Sequence, residues 1–223
     1  MSLSKLVPTL IALYLLVSGS TAMATRYSVT DIYNDGTPAN VLVGESQLFV
    51  DVTDSGNNQV LFTFLNIGPS PSIITNIYFE EGATPPLMNI DTIINTPGTV
   101  RFTEITTSSI GGPPGGANIG WNNNATEFRV DPANPAPTWG INPFESLGIL
   151  FDLSSTYTFA NVISDLNSKD WRIAFHVQGF LDDGSDSFVI NGPVNTPVPE
   201  PSVMLLMGTG IAALAGSRLR RRK

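Results

Sequence analysis

The sequence predicts an all-β fold, a jelly-roll-like β-sandwich ectodomain with one short helix, flanked by an N-terminal signal helix and a C-terminal transmembrane helix. Three observations predict it. Of nine short strand-like runs, many show alternation with a period of two or enrichment in β-branched and aromatic residues. The 20 glycines and 17 prolines fall largely between those runs, where turns need them. Two apolar, nearly uncharged stretches sit at the extreme ends of the 223 residues, outside the patterned region.

Residues 1–24 read as a secretory signal peptide. Lys5 makes the n-region positive, and Leu6 to Val17 forms an apolar stretch of 12 residues, short for a membrane span. Ala22 and Ala24 place small side chains at the two positions a signal peptidase reads. Cleavage is expected after Ala24, leaving a mature chain that begins at Thr25.

Residues 25–197 form the ectodomain. The strand candidates are 27–33, 46–52, 59–67, 73–80, 99–105, 126–130, 147–153, 171–179 and 187–190. In 171–179, alternation puts Trp171, Ile173, Phe175 and Val177 on a core face, and Arg172, Ala174, His176 and Gln178 on an exposed one. A helix is predicted over 158–169, because Phe159, Val162, Ile163 and Leu166 recur at helical spacing behind Thr158 as N-cap. Gly111 to Gly116 and Asp131 to Pro143 read as loops.

Residues 198–223 divide into three parts. Val198, Pro199, Glu200 and Pro201 form an extended tetrapeptide, since each proline fixes φ and removes an amide donor. The uncharged stretch 202–217 would measure about 24 Å as a helix. That spans a bilayer with local thinning and snorkelling cations. Arg218, Arg220, Arg221, Arg222 and Lys223 then hold the end on the cytoplasmic side. Both ends give one topology: domain outside, tail inside, with the membrane as a transient anchor.

Charge narrows the function. Only 13% of residues are charged, against about 25% in ordinary soluble domains. The net charge of −8 conceals an ectodomain with five basic and eighteen acidic residues. A surface of net −13 repels nucleic acid and anionic lipid, so no nucleic-acid partner is expected. Cysteine is absent, which excludes disulfides, thiolate metal sites and a Cys nucleophile. No phosphate loop or dinucleotide motif occurs, and no cofactor is expected.

The remaining chemistry offers weak candidates. His176 is the single histidine, with no nucleophile elbow nearby, and reads as a strand residue rather than a catalyst. Asp182, Asp183 and Asp186 crowd one turn. They read mainly as a solvated hairpin, with calcium as the weaker alternative because their spacing departs from the EF-hand loop. Asp51, Asp54 and Asn57 invite the same weak reading. Trp121 and Trp139 lie in loop-rich stretches and read mainly as plugs for the ends of the sandwich, with a sugar-stacking platform as the weaker alternative. No motif selects a glycosidase carboxylate pair from the many acidic residues.

The order Val-Pro-Glu-Pro, short apolar stretch and Arg-rich terminus resembles the PEP-CTERM sorting signal. That resemblance covers Val198 to Lys223. It implies recognition of Pro199, Glu200 and Pro201 by an exosortase, a membrane-embedded transpeptidase-like enzyme of Gram-negative bacteria, and delivery to the cell surface or extracellular matrix. It also implies a host that makes exopolysaccharide and biofilm. Gly148 to Phe188, together with Asn118 to Trp121, is similar to ectodomains that precede such tails, which implies a domain type and no activity. The expected role is structural or adhesive and non-enzymatic. The alternatives are an exopolysaccharide-binding module and a secreted glycoside hydrolase.

Overall fold

A computed structural model describes residues 24–32, 37–81, 87–106 and 110–194. The signal stretch through Met23, the motif 198–201, the predicted span 202–217 and the basic tail 218–223 lie outside the described residues. Ala24, the residue expected to end the signal peptide, is the first residue of a strand. Residues Ala24–Thr196 form one compact unit.

Ten strands build it: β1 (Ala24–Asp31), β2 (Leu48–Gly56), β3 (Gln59–Asn66), β4 (Ile73–Glu81), β5 (Met88–Ile94), β6 (Phe102–Glu104), β7 (Thr126–Pro132), β8 (Glu145–Leu153), β9 (Trp171–Gln178) and β10 (Ser185–Pro193). All pairings are antiparallel, in the order β5-β8-β3-β2-β1-β10-β9-β4-β7-β6. The two layers expected of a sandwich are therefore two halves of one continuous sheet.

β1 is the corner between those halves. Its first part, Ala24 to Tyr27, pairs with β2, and Val29 to Asp31 pairs with β10. The register breaks between Tyr27 and Val29, and such an irregularity bends a strand. The free edges, β5 and β6, are joined by a short connection. There the Asn95 side chain acts as a surrogate strand: Phe102 N donates to Asn95 Oδ1 at 2.6 Å, and Asn95 Nδ2 donates to Phe102 O at 3.1 Å. The folded sheet is thereby nearly closed.

The inward positions follow the alternation. Val50, Val52, Val60, Phe62, Phe64, Ile149 and Phe151 from one half meet Ile77, Phe79, Ile173, Phe175 and Val177 from the other, all fully buried. Phe79 lies at the centre of this seam, with ring centroids of Phe62, Phe64, Phe128, Phe151 and Trp171 between 5.2 and 6.5 Å away. Mostly edge-on, these contacts suit the positive rim and negative face of each ring.

Among the described residues three α-helices sit in the connections, where one was expected. α1 (Pro38–Gln47) begins with a proline, has no acidic first turn and carries little amphipathic pattern. α2 (Ala136–Trp139) is a single turn. α3 (Phe159–Ser168) is the predicted helix, and Thr158 and Asn161 cap it reciprocally. β5 escapes the sequence pattern because only Met88 of its seven residues is buried.

The end of the sheet where α1 meets the β3–β4 loop is closed by a buried polar knot. Gln47 Nε2 donates to Asn66 Oδ1 (3.1 Å), Ser72 Oγ (2.6 Å) and Ser70 O (2.8 Å), and Asn66 Nδ2 donates to Ser72 O (2.9 Å). Gly68 is required here, since a Cβ would come within 2.4 Å of Gln47. The two termini of the unit leave together from the opposite end, where Val194 N donates to Arg26 O at 2.8 Å.

Candidate functional site

The outer face of β4, β9 and β10 is not the open surface that alternation predicts. The segment 110–125 folds across it and forms a second apolar cluster of Ile32, Tyr78, Trp121, Ala174 and Val189. Ala174, expected to be exposed, is fully buried there. Arg172 anchors the cover. Its Nε donates to the Glu80 carboxylate, and its two terminal nitrogens donate to Ile119 O (2.8 Å) and Gly120 O (3.0 Å). The guanidinium carbon stands 5.3 Å from the Trp121 ring centroid, a cation–π distance. Glu80 also accepts from Asn122 N at 2.6 Å, so one ion pair fixes the backbone at residues 119, 120 and 122.

Of the two readings of Trp121, this placement favours the packed plug over the platform. It is 7% exposed, its ring lies beneath Arg172, and its Nε1 donates to Thr126 Oγ1 at 2.9 Å. Stacking on a sugar requires an open ring face, and Trp121 has none. Trp139 ends α2, is half-buried, and its carbonyl accepts from Arg101 N at 3.0 Å. Trp121 belongs to the outer apolar cluster, whereas Trp139 belongs to neither cluster.

A shallow groove remains between the cover and α3, lined by Ile119, Leu166, Lys169, Arg172, Val189 and Asn191. A second depression shares Lys169 and Arg172 and adds Glu80, Asn122 and Asp170. Lys169 is exposed at the end of α3, in a left-handed conformation (φ 68°). Two of the ectodomain's five cations thus border one apolar strip on an otherwise acidic unit.

The acidic turn does not gather into a metal site. Asp182 is exposed and accepts from Gly184 N (2.9 Å), Asn40 Nδ2 (3.1 Å) and Thr37 Oγ1 (3.1 Å). These donors, the Gly184 amide first, hold its carboxyl below the usual carboxylate range. Its work is to tie the β9–β10 turn to the start of α1. Asp183 is exposed at φ 58°, whereas Asp186 is buried on β10, so the three carboxylates face different surroundings. Among the described residues no group of three or more His, Cys, Asp or Glu side chains could hold a metal ion. Asp51 pairs instead with Arg26 (2.7 Å), and Asp54 accepts from Gly56 N (2.9 Å) within the β2–β3 turn that contains Asn57.

Sequence reasoning missed one neighbour of His176. Ser187 lies opposite it on β10, with Oγ 3.2 Å from His176 Nδ1. Burial holds the imidazole below its ordinary value, and a hydrogen bond to the Asp186 backbone opposes this more weakly. Ser187 is fully buried, so its hydroxyl has no path to a substrate. A polar row continues across the neighbouring strands: Asn76 Nδ2 donates to Asp131 Oδ1 (2.7 Å), which Arg129 grips through two nitrogens, each at 2.7 Å. Only the register of four strands could have shown this row, because its members are far apart in sequence.

Comparison with known proteins adds one finding. Residues 197–222 match the family model described as the PEP-CTERM protein-sorting motif. No curated protein and no solved structure matches the chain. The match coincides with the tail identified from the residues, and it implies export and processing by an exosortase. Among the described residues no helix is long and apolar enough to cross a membrane.

Proposed function

We propose, for a chain that ends in a PEP-CTERM sorting signal, that the ectodomain is a non-enzymatic component of the cell surface or extracellular matrix with a structural or adhesive role. The observation that carries this reading is the sorting motif at residues 197–222. In this reading a signal peptidase cuts after Ala24. The apolar stretch 202–217 then holds the protein in the inner membrane, and an exosortase reads Pro199, Glu200 and Pro201. A tightly packed, strongly acidic unit suits a role outside the cell, where solubility and persistence matter more than turnover. Exopolysaccharide is its natural surrounding in the biofilm-forming Gram-negative host that the tail implies. The hydrolase alternative gains no observation in its favour.

The test is the intact mass of the protein recovered from the host surface or medium, in wild-type and exosortase-deleted strains. The expected species begins at Thr25, ends near Pro199 to Pro201, and requires the exosortase. Glu200→Ala should leave the uncut form in the membrane fraction. A mass running to Lys223 in both strains would reduce the tail to an ordinary anchor.

A further inference from the structure

Among the described residues, the large exposed hydrophobic side chains are not scattered. Leu42, Ile67, Phe144 and Leu181 all lie in connections at one end of the sheet, the end opposite Ala24 and Val194, and Ile94 closes β5 on the same side. Phe144 stands out among them. It is 74% exposed, and its φ is +68°, a left-handed conformation that a bulky residue rarely adopts. The backbone is held there by its neighbours: Phe144 N donates to Asn66 O at 2.7 Å, and Asn66 is itself fixed in the buried knot with Gln47 and Ser72. Exposing the ring and straining its backbone both work against stability, and strain of this kind persists where a ligand is held.

We infer that Phe144 is the stacking platform of a binding site for an uncharged sugar ring. The ring borders a shallow groove whose apolar wall is Leu65 and Ile67 and whose rim carries Glu145 and Ser146. The Glu145 carboxylate is preoriented, because its Oε2 accepts from Asn142 N (2.8 Å) and Asn142 Nδ2 (3.1 Å). An aromatic face beside a fixed carboxylate offers the two surfaces that a pyranose presents in complement: an apolar face of C–H bonds, and hydroxyls that donate. Charge selects within that class. An anionic polymer meets an ectodomain of net −13 and a carboxylate at the rim. A second copy brings the same charge, and a groove lined by six residues falls far below the roughly 20–30 residues a side of a stable protein interface. The site is independent of the sorting reading, since it needs only the folded unit.

The experiment uses the full chain in detergent micelles on an array of neutral glycans (cellohexaose, maltohexaose, xylan, mannan), with polygalacturonate as the anionic control. Retention is expected on at least one neutral glycan and not on polygalacturonate. Phe144→Gly should weaken it by at least about tenfold. Because glycine accepts the left-handed backbone without strain, the same variant should keep its Tm or gain about 2–4 °C. Glu145→Gln should weaken retention less, and Leu42→Ser should leave it unchanged. The proposal is overturned by a wild type that no neutral glycan retains, or by retention that survives Phe144→Gly. Self-association in sedimentation that Phe144→Gly abolishes would give the groove to a second copy instead.

Discussion

The inner seam and the outer cover bury comparable side chains by different means. The seam joins two strand faces, and each ring enters it because its position in the alternation faces inward. The cover is an irregular segment with little regular structure, held on the sheet by Arg172, which satisfies a carboxylate and two carbonyls, and by hydrogen bonds from Asn118 to Ile32 O and from Arg129 to Ile110 O. Loss of a seam residue leaves a void that rigid strands cannot collapse into. Loss of the cover's anchor leaves a buried charge instead. Apolar packing and polar fixation thus stabilise opposite faces of the same strands, β4 and β9.

Substitution tests that contrast from its largest consequence downward. Phe79→Ala removes the ring that five others touch and should cost about 3–5 kcal/mol in denaturant unfolding. A loss below about 1 kcal/mol would show a seam far looser than its geometry. Arg172→Met strips Glu80 of its partner and should cost about 2–4 kcal/mol. Adding Glu80→Gln should recover part of that loss, because the uncompensated charge disappears. If the double variant is no better than the single, the arginine holds the cover mainly through Ile119 and Gly120. Gln47→Ala leaves Asn66 and Ser72 short of a partner and should cost about 1–3 kcal/mol, with the amides of 66–72 exchanging faster in NMR.

The smallest effect is titration on the covered side. Burial holds the folded His176 below the ordinary imidazole value, so on acidification the unfolded chain takes up its proton first. The stability contributed by the neutral ring is complete above about pH 6.5, declines below it, and stops declining beneath the folded value. His176→Gln should flatten that part of a Tm-against-pH curve. At the alkaline end burial pushes the Tyr27 phenol up to about 12, so its contribution fades as pH rises from about 10 towards that value, and Tyr27→Phe should remove the fade.

The seam was legible in the sequence and the cover was not, for one physical reason. Alternation reports which residues of a strand share a face, and it placed Trp171, Ile173, Phe175 and Val177 inward, as found. It cannot report what lies over the other face, because that is decided by a distant segment. Arg172 and Ala174 therefore fall on the face that the pattern marks as exposed, and nothing local tells whether the Trp121 ring is open or covered. The helix at Phe159–Ser168 carried its own cap and spacing and was readable locally. α1 is set by the knot at Gln47 and by packing against β1 and β10, and its own residues carry almost no helical pattern. Phe144, between Pro143 and Glu145, belongs to no periodic run. The tail needed no fold at all, since composition and order alone define it.

The corner strand has a kinetic consequence. β1 completes its ladder only against β10, whose residues follow it by about 160 positions, and contacts of that separation form slowly. A secreted chain arrives outside amino-terminus first, so β1 must wait with half of its backbone unpaired until nearly the whole domain has emerged. The segment that follows β10 is the sorting tail. In the export reading, the last pairing of the sheet and the arrival of the sorting signal therefore come close together.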